Sequence, residues 1–145
     1  MTGGGSAGKP VPVPEEADRP YWDGLALGRL VLSRCTGCGS YSQRARPVCG
    51  ACRAESFVWS KVSGHGKIYS YTVARQTWVT GFQQAVPYVL VAVAIDEQPS
   101  LLLTTNLVGE FDVEQIDVDL GVTAAFEPRG DVTLLQFELD RARHV

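Results

Sequence analysis

The chain has 145 residues, 45% of them hydrophobic and 20% charged, with a formal net charge of −3 and a pI near 5.3. That length fits one ordinary domain, or a small stapled domain joined to a modest one, and no apolar run reaches the ~18 residues that a membrane span needs. An acidic chain is a poor match to nucleic acid as a whole, yet the charge is lopsided: Arg29 to Arg75 is basic apart from Glu55, and Asp96 to Asp140 is acidic apart from Arg129.

Residues 1–14 read as a flexible tail. Gly3, Gly4, Gly5 and Gly8 give it slack, and Pro10, Pro12 and Pro14 favour extended conformations. It holds no apolar core of a signal peptide, so a reducing, cytoplasmic setting is the expectation. From Glu15 to Gly28 the pattern predicts a short helix, with Asp18 as N-cap, Pro20 in the first turn and Gly28 as C-cap. Tyr21, Trp22, Leu25 and Ala26 recur at helical spacing, while Gly24 weakens the pattern. So short a helix needs a surface to pack on. Its aromatic stripe either faces its own domain or anchors a second chain.

Leu30-Val31-Leu32 leads as a strand into Cys35-Thr36-Gly37-Cys38, which Cys49-Gly50-Ala51-Cys52 echoes after the intervening loop; the chain has 4 cysteines. Two thiolates from each of two tight turns, joined by a hairpin-sized loop, are the pattern of a tetrahedral S4 site. The spacing therefore predicts a structural Zn2+ held by Cys35, Cys38, Cys49 and Cys52, within a helix-plus-zinc-ribbon unit spanning 15–62. Iron suits the same donors, and paired disulfides or a redox C-x2-C are the other readings. A closed four-cysteine site has no open coordination position, so it staples a fold and does no chemistry. Phe57 to Val62 leaves the ribbon as a strand, with Trp59 expected to cover the metal turns.

Residues 63–145 read as β. Ser63-Gly64-His65-Gly66 signals a turn or bulge. Strands are expected at Lys67–Arg75, Tyr88–Ile95, Leu101–Leu107, Val122–Phe126 and Val132–Leu139. The second is apolar throughout, as in a strand buried on both faces or a barrel stave. Between the third and fourth, Val113, Ile116 and Leu120 are spaced for a short helical turn, and Pro128-Arg129-Gly130-Asp131 makes the last hairpin. The predicted class is mainly β: a short N-terminal helix, a zinc ribbon, then a five-stranded OB-fold barrel, with an SH3-like barrel or open meander as alternatives. Between the first two barrel strands, Trp78, Val79 and Phe82 are large apolar residues in a connection that should be polar. They mark either a docking site or a plug for the barrel.

The order Pro20-Tyr21-Trp22-Asp23-Gly24-Leu25, Gly28-Arg29-Leu30 and Arg34-Cys35-x-x-Cys38-Gly39 closely resembles the N-terminal region of the acyl-CoA-associated OB-fold family, long filed as domain of unknown function thirty-five. The likeness continues through Pro47-Val48-Cys49-x-x-Cys52, Ser63-Gly64-x-Gly66, Tyr69-Ser70-Tyr71-Thr72-Val73 and Pro87-Tyr88-Val89, from about Asp18 to the C-terminus. Two departures, Gln43-Arg44-Ala45-Arg46-Pro47 in place of a Pro-Pro-Arg run and Gly50 in place of proline, touch no metal ligand. The resemblance implies a small partner of a thiolase-fold enzyme, or of a hotdog-fold enoyl-CoA hydratase. It is nearest to the members that pair with a thiolase-like retro-aldolase of steroid side-chain degradation in a hetero-oligomer, a heterotetramer, whose acyl-CoA site they help to shape.

No catalytic inventory stands out beside this. The cysteines are spent on metal, His65 lies in a glycine turn, His144 is one residue from the end, and the carboxylates at Asp96-Glu97 and in 110–119 read as a solvated face. No nucleophile elbow, phosphate loop or dinucleotide fingerprint occurs, so the chain is expected to perform no chemistry alone. Arg34, Arg44, Arg46 and Arg53 surround the ribbon. They partly balance the thiolates; beyond that, Arg44 and Arg46 suit an acidic partner or the phosphates of coenzyme A. Tyr21, Trp22, Trp78 and Phe82 are the expected partner contacts. A single-stranded nucleic-acid module is the rival reading, since Tyr69, Tyr71 and Trp78 could stack on bases while the acidic barrel half would repel phosphates.

Overall fold

The computed structural model describes residues 11–75 and 87–141. A 3-10 turn at Glu16–Asp18 leads into helix α1 (Arg19–Ala26), and three strands follow: β1 (Val31–Cys35), β2 (Tyr41–Ser42) and β3 (Phe57–Lys61). They form an antiparallel sheet in the order β2-β1-β3, which carries both cysteine pairs. β2 is too short to have shown in the sequence pattern. It exists because the chain leaving Cys38 must double back beside β1, pairing Tyr41 with Arg34 and Ser42 with Ser33.

The second sheet contains β4 (His65–Ala74), β5 (Tyr88–Ile95), β6 (Leu102–Val108), β7 (Gly121–Arg129) and β8 (Val132–Leu139). It closes as a barrel in the order β4-β5-β6-β8-β7. All its pairings are antiparallel except β6 with β8, which are parallel at Leu107–Phe137 and Val108–Glu138 and further tied by Thr105 Oγ1 donating to Leu135 O at 2.8 Å. This is the OB-fold, and the chain as a whole is mainly β. The segment before β7 forms a 3-10 turn at Val113–Gln115, closed by a capping box between Asp112 and Gln115.

Of the two readings of β5, the barrel stave holds: Val89, Val91, Val93 and Ile95 are buried, while Tyr88, Leu90, Ala92 and Ala94 on the other face are only partly so. One strand start needs correction. β4 begins earlier than the glycine turn suggested, at His65, and its register on β5 shifts between Ile68 and Ser70. Tyr69 is the extra residue of this bulge, 63% exposed, between Ile68 opposite Val93 and Ser70 opposite Ala92.

One core runs through both sheets. Tyr21 and Leu25 of α1, Leu30 and Leu32 at the start of the ribbon, and Val122 and Phe137 of the barrel belong to a single buried cluster. α1 is the wedge, packed on β1, β7 and β8. Its buried residues Tyr21, Gly24 and Leu25 lie three and four apart, on one face. The helix ends in a Schellman turn: Arg29 N–H donates to Gly24 O at 2.8 Å and Gly28 N–H to Leu25 O at 3.0 Å. Gly24, the residue that weakened the sequence pattern, has a packing reason. A Cβ there would stand 2.7 Å from Val31 Cγ2 and 3.2 Å from Arg29 O.

Asp18 sits at the N-cap position, but its side chain accepts no capping hydrogen bond. Its buried carboxylate instead accepts the Ala45 N–H at 2.7 Å, fastening the ribbon loop to the helix start. The connector between sheets is tied at successive residues: Val62 N–H to Leu30 O at 2.9 Å, Ser63 N–H to Glu97 Oε2 at 2.6 Å, and Ala124 N–H to Gly64 O at 2.8 Å. Among the described residues no helix is long and apolar enough to cross a membrane.

Gly24→Ala tests the wedge. In an open helix this change stabilises by up to about 1 kcal/mol; here overpacking against Val31 should outweigh that and destabilise by about 1–3 kcal/mol. The check is the urea midpoint, expected to fall; a rise would mean that α1 stands off β1.

Candidate metal centre and adjoining cleft

The two cysteine turns are near copies. In the first, Cys35 N–H donates to Ser40 O at 2.9 Å, Gly39 N–H to Cys35 O at 2.9 Å, and Gly37 N–H to Cys35 Sγ at 3.3 Å. In the second, Cys49 N–H donates to Ala54 O at 2.8 Å, Arg53 N–H to Cys49 O at 2.9 Å, and Ala51 N–H to Cys49 Sγ at 3.4 Å. Each turn thus aims a backbone donor at its own first sulfur, and such donors favour the thiolate.

The four Sγ atoms lie within 4.8 Å of one another. Cys35 and Cys52 sulfurs are 3.5 Å apart, and Cys38 and Cys49 sulfurs 3.6 Å. A disulfide would need about 2.05 Å, whereas a tetrahedron of Zn–S bonds of about 2.3 Å has edges of roughly 3.8 Å. The geometry fits structural Zn2+ and leaves no corner for a substrate. Cys35 and Cys49 are buried, Cys38 and Cys52 exposed, so each turn contributes one inner and one outer ligand. Without a cation the thiols oppose one another. Ser40, its hydroxyl 3.2 Å away, pulls Cys38 down to about 6. Against the pull of the Ala54 backbone, the other thiols push Cys52 up to about 12. Only a central positive charge lets all four ionise together.

Around the centre, Arg34 braces the first turn: its Nε donates to Gly39 O at 3.3 Å, and its guanidinium lies 5.2 Å from the Tyr41 ring centroid. Phe57, paired in register with Cys35, lines the cleft beside Cys49, while Trp59, the residue expected over the metal turns, packs against the common core.

The ribbon meets the barrel at a clamp that the sequence did not announce. Gln98, in the β5–β6 turn, accepts the Tyr41 N–H on Oε1 at 2.8 Å and donates from Nε2 to Tyr41 O at 3.2 Å. Its side-chain amide acts as one residue of a neighbouring strand and satisfies the outer edge of β2. Gln43 Nε2 donates to Tyr21 Oη at 3.0 Å. Burial pushes the Tyr21 phenol above its ordinary value, opposed by that Gln43 donor and the charge of Arg44.

Between ribbon and barrel opens a cleft of about 650 Å3, with Arg44, Arg46 and Gln43 on one side and Phe57, Gln98 and Leu101 among its walls. A smaller cavity of about 160 Å3 gathers Asp18, Tyr21, Trp22, Gln43 and Arg44. The structure therefore brings Tyr21, Trp22 and Arg44 together and places Arg46 next door. Tyr21 is only 8% exposed and belongs to the chain's own core, with Trp22 half-buried against it, ring centroids 5.2 Å apart and edge to face. Trp78 and Phe82 lie outside the described residues. Of the remaining candidates, Tyr69 and Tyr71 are exposed on β4. His65 sits at the start of β4 with Nδ1 3.4 Å from Asp140 Oδ2, and Glu97 serves Ser63 rather than a reaction.

Cys38→Ser should lower bound zinc well below one per chain and depress the thermal midpoint, read by metal analysis alongside melting. A zinc-free variant as stable as the parent would contradict a structural site. Acidification protonates the thiolates, so metal-dependent stability should be present at neutral pH and lost on the acid side.

With that geometry in view, comparisons with known proteins agree on a lineage. Residues 22–58 match the ChsH2 rubredoxin-like zinc ribbon domain, and residues 59–127 match the ChsH2 C-terminal OB-fold domain. A DUF35 domain-containing scaffold protein of Methanocaldococcus jannaschii is 29% identical over 98 residues, 67% of each chain. Among solved structures, a chain of the Ltp2-ChsH2(DUF35) aldolase superposes with a TM-score of 0.76 at 26% identity, covering 89% of this chain and 98% of that one. A DUF35-family protein of unknown function from Sulfolobus solfataricus shares the fold, with a TM-score of 0.59 at 17% identity over 86% of both chains. This chain belongs to the DUF35 family, in its ChsH2 form of a rubredoxin-like zinc ribbon joined to an OB-fold.

Proposed function

We propose that this chain is a non-catalytic accessory subunit of a CoA-ester-processing enzyme. It binds a thiolase-fold partner, a retro-aldolase of steroid side-chain degradation, and helps to shape the partner's acyl-CoA site. The observation that carries this reading is the likeness to nearly the whole DUF35 chain of the Ltp2-ChsH2(DUF35) aldolase. The chemistry of the site supports it. Four thiols close on a metal that has no free corner, so the ribbon contributes shape. The 650 Å3 cleft beside it has an apolar wall at Phe57 and Leu101 and guanidinium groups at Arg44 and Arg46, a combination suited to an acidic partner surface or to an adenine nucleotide with its phosphates.

In this reading the ribbon and barrel form one preset surface in a cytoplasmic hetero-oligomer. The partner supplies nucleophile, acid and base. Trp22 and the connection bearing Trp78 and Phe82 provide apolar contact, and Tyr21 acts from inside by fixing Trp22. The nucleic-acid alternative has the exposed rings of Tyr69 and Tyr71 in its favour, and the acidic half of the chain against it.

Co-expression with the aldolase subunit should yield a stable complex that cleaves steroid acyl-CoA, while this chain alone shows no turnover. Robust turnover by the isolated chain would overturn the accessory role. Trp78→Ala should weaken co-purification without lowering zinc content; an undiminished complex would remove Trp78 from the interface.

A further inference from the structure

The two cysteine turns share their backbone hydrogen bonds, which makes one of their sequence differences informative. The residue after the second cysteine of each pair adopts the left-handed conformation, at φ 80 for Gly39 and φ 66 for Arg53. Glycine takes that conformation freely, whereas a residue with a Cβ is strained in it. The second turn therefore holds an arginine at the position where glycine would serve the fold best.

Arg53 is exposed, and so are Arg44 and Arg46 in the loop that enters the same turn. Among the described residues none of these three has a carboxylate partner; the arginine–carboxylate pairs there are Arg19–Glu16 and Arg129–Glu127. Arg46 lies across the second turn, with Nη1 3.2 Å from where a Gly50 Cβ would be. Arg34 at the first turn is different, since its guanidinium is engaged inward by Gly39 O and the Tyr41 ring. Offsetting thiolate charge requires positive charge near the metal, but it does not require an arginine at the most strained backbone position of the turn. Val48, between Arg46 and Cys49, is 41% exposed. An exposed apolar residue flanked in the chain by exposed arginines has the composition of a protein interface.

We infer that the second cysteine turn is a docking face for an acidic, carboxylate-bearing patch of the partner enzyme, with Arg44, Arg46 and Arg53 as its charged rim and Val48 as its apolar contact. The inference rests on the accessory role proposed above and specifies which surface makes the contact. A compact acidic patch suits this face better than an extended polyanion. The remote acidic segment from Glu110 to Asp119 would repel a long phosphate chain but not a patch confined to the ribbon. A charged rim governs encounter more than residence, so its signature is a salt-dependent association rate.

The test uses the full chain and the aldolase subunit, with association rates measured at low and high sodium chloride for the parent, for Arg53→Gly and for the pair Arg44→Gln with Arg46→Gln. Arg53→Gly should keep its zinc and melt no earlier than the parent, because glycine relieves the strain, yet associate about 10-fold more slowly at low salt and converge with the parent at high salt. The glutamine pair should show the same convergence. A parent complex whose rates are unchanged in both variants would overturn the docking face alone. Loss of zinc from Arg53→Gly would make that arginine a counter-ion of the metal and overturn its role in docking. Competition by inorganic phosphate, with little effect of chloride, would make the face a phosphate site instead. Failure of the parent to bind the aldolase at all would overturn the accessory role and this inference together.

Discussion

Four thiols held within 4.8 Å of one another repel as thiolates, and a divalent cation at their centre turns that repulsion into a staple. The ribbon needs one. Its strands are five, two and five residues long, and their buried apolar surface is largely that of Leu32, which belongs to a core shared with the barrel. A sheet of this size does not support itself in water. Metal binding and folding of this half are therefore coupled, and the backbone donors aimed at Cys35 and Cys49 show the turns built around charged sulfur.

Once closed, the ribbon is fixed to the barrel by contacts of several kinds. α1 fills the angle between the sheets. Asp18 holds the loop at Ala45, Gln98 completes the edge of β2, and Gln43 ties that loop to Tyr21. Gln98 joins the barrel to β2 directly, while Asp18 and Gln43 tie the ribbon loop to α1, which packs in turn on β7 and β8. The cleft lined by Arg44 and Arg46 is a consequence of that placement, since its walls come from the ribbon and from the β5–β6 turn. A protein that lends shape to a partner needs a surface set before the partner arrives, and these contacts set it.

Much of this was legible in the chain. Paired C-x2-C motifs with glycine-rich turns announce a metal by chemistry alone, and strands such as Tyr88–Ile95 and Val132–Leu139 stand where period and turn residues put them. What escaped depends on distant partners. Gln98 sits 57 residues from Tyr41, and no local pattern marks an amide that will act as a strand. Asp18 before a helix looks like a cap, and only the folded chain reveals the closer claim of Ala45 N–H. Gly24 looked like a weakness in a helix because the reason for it, Val31, belongs to the next element. The bulge at Tyr69 was not legible, because Ile68 inside and Tyr69 outside is what plain alternation gives, and the extra residue shows only in the pairing with β5.

The most direct test of the central claim is hydrogen exchange on the intact chain before and after metal is removed with a chelator under reducing conditions. Coupled folding predicts that amides of β1 to β3, Val31 to Lys61, lose protection in the metal-free chain, while β5, β7 and β8 of the barrel stay protected. Full protection of the ribbon strands without metal would contradict the account, because the sheet would then be held by something other than its thiolates.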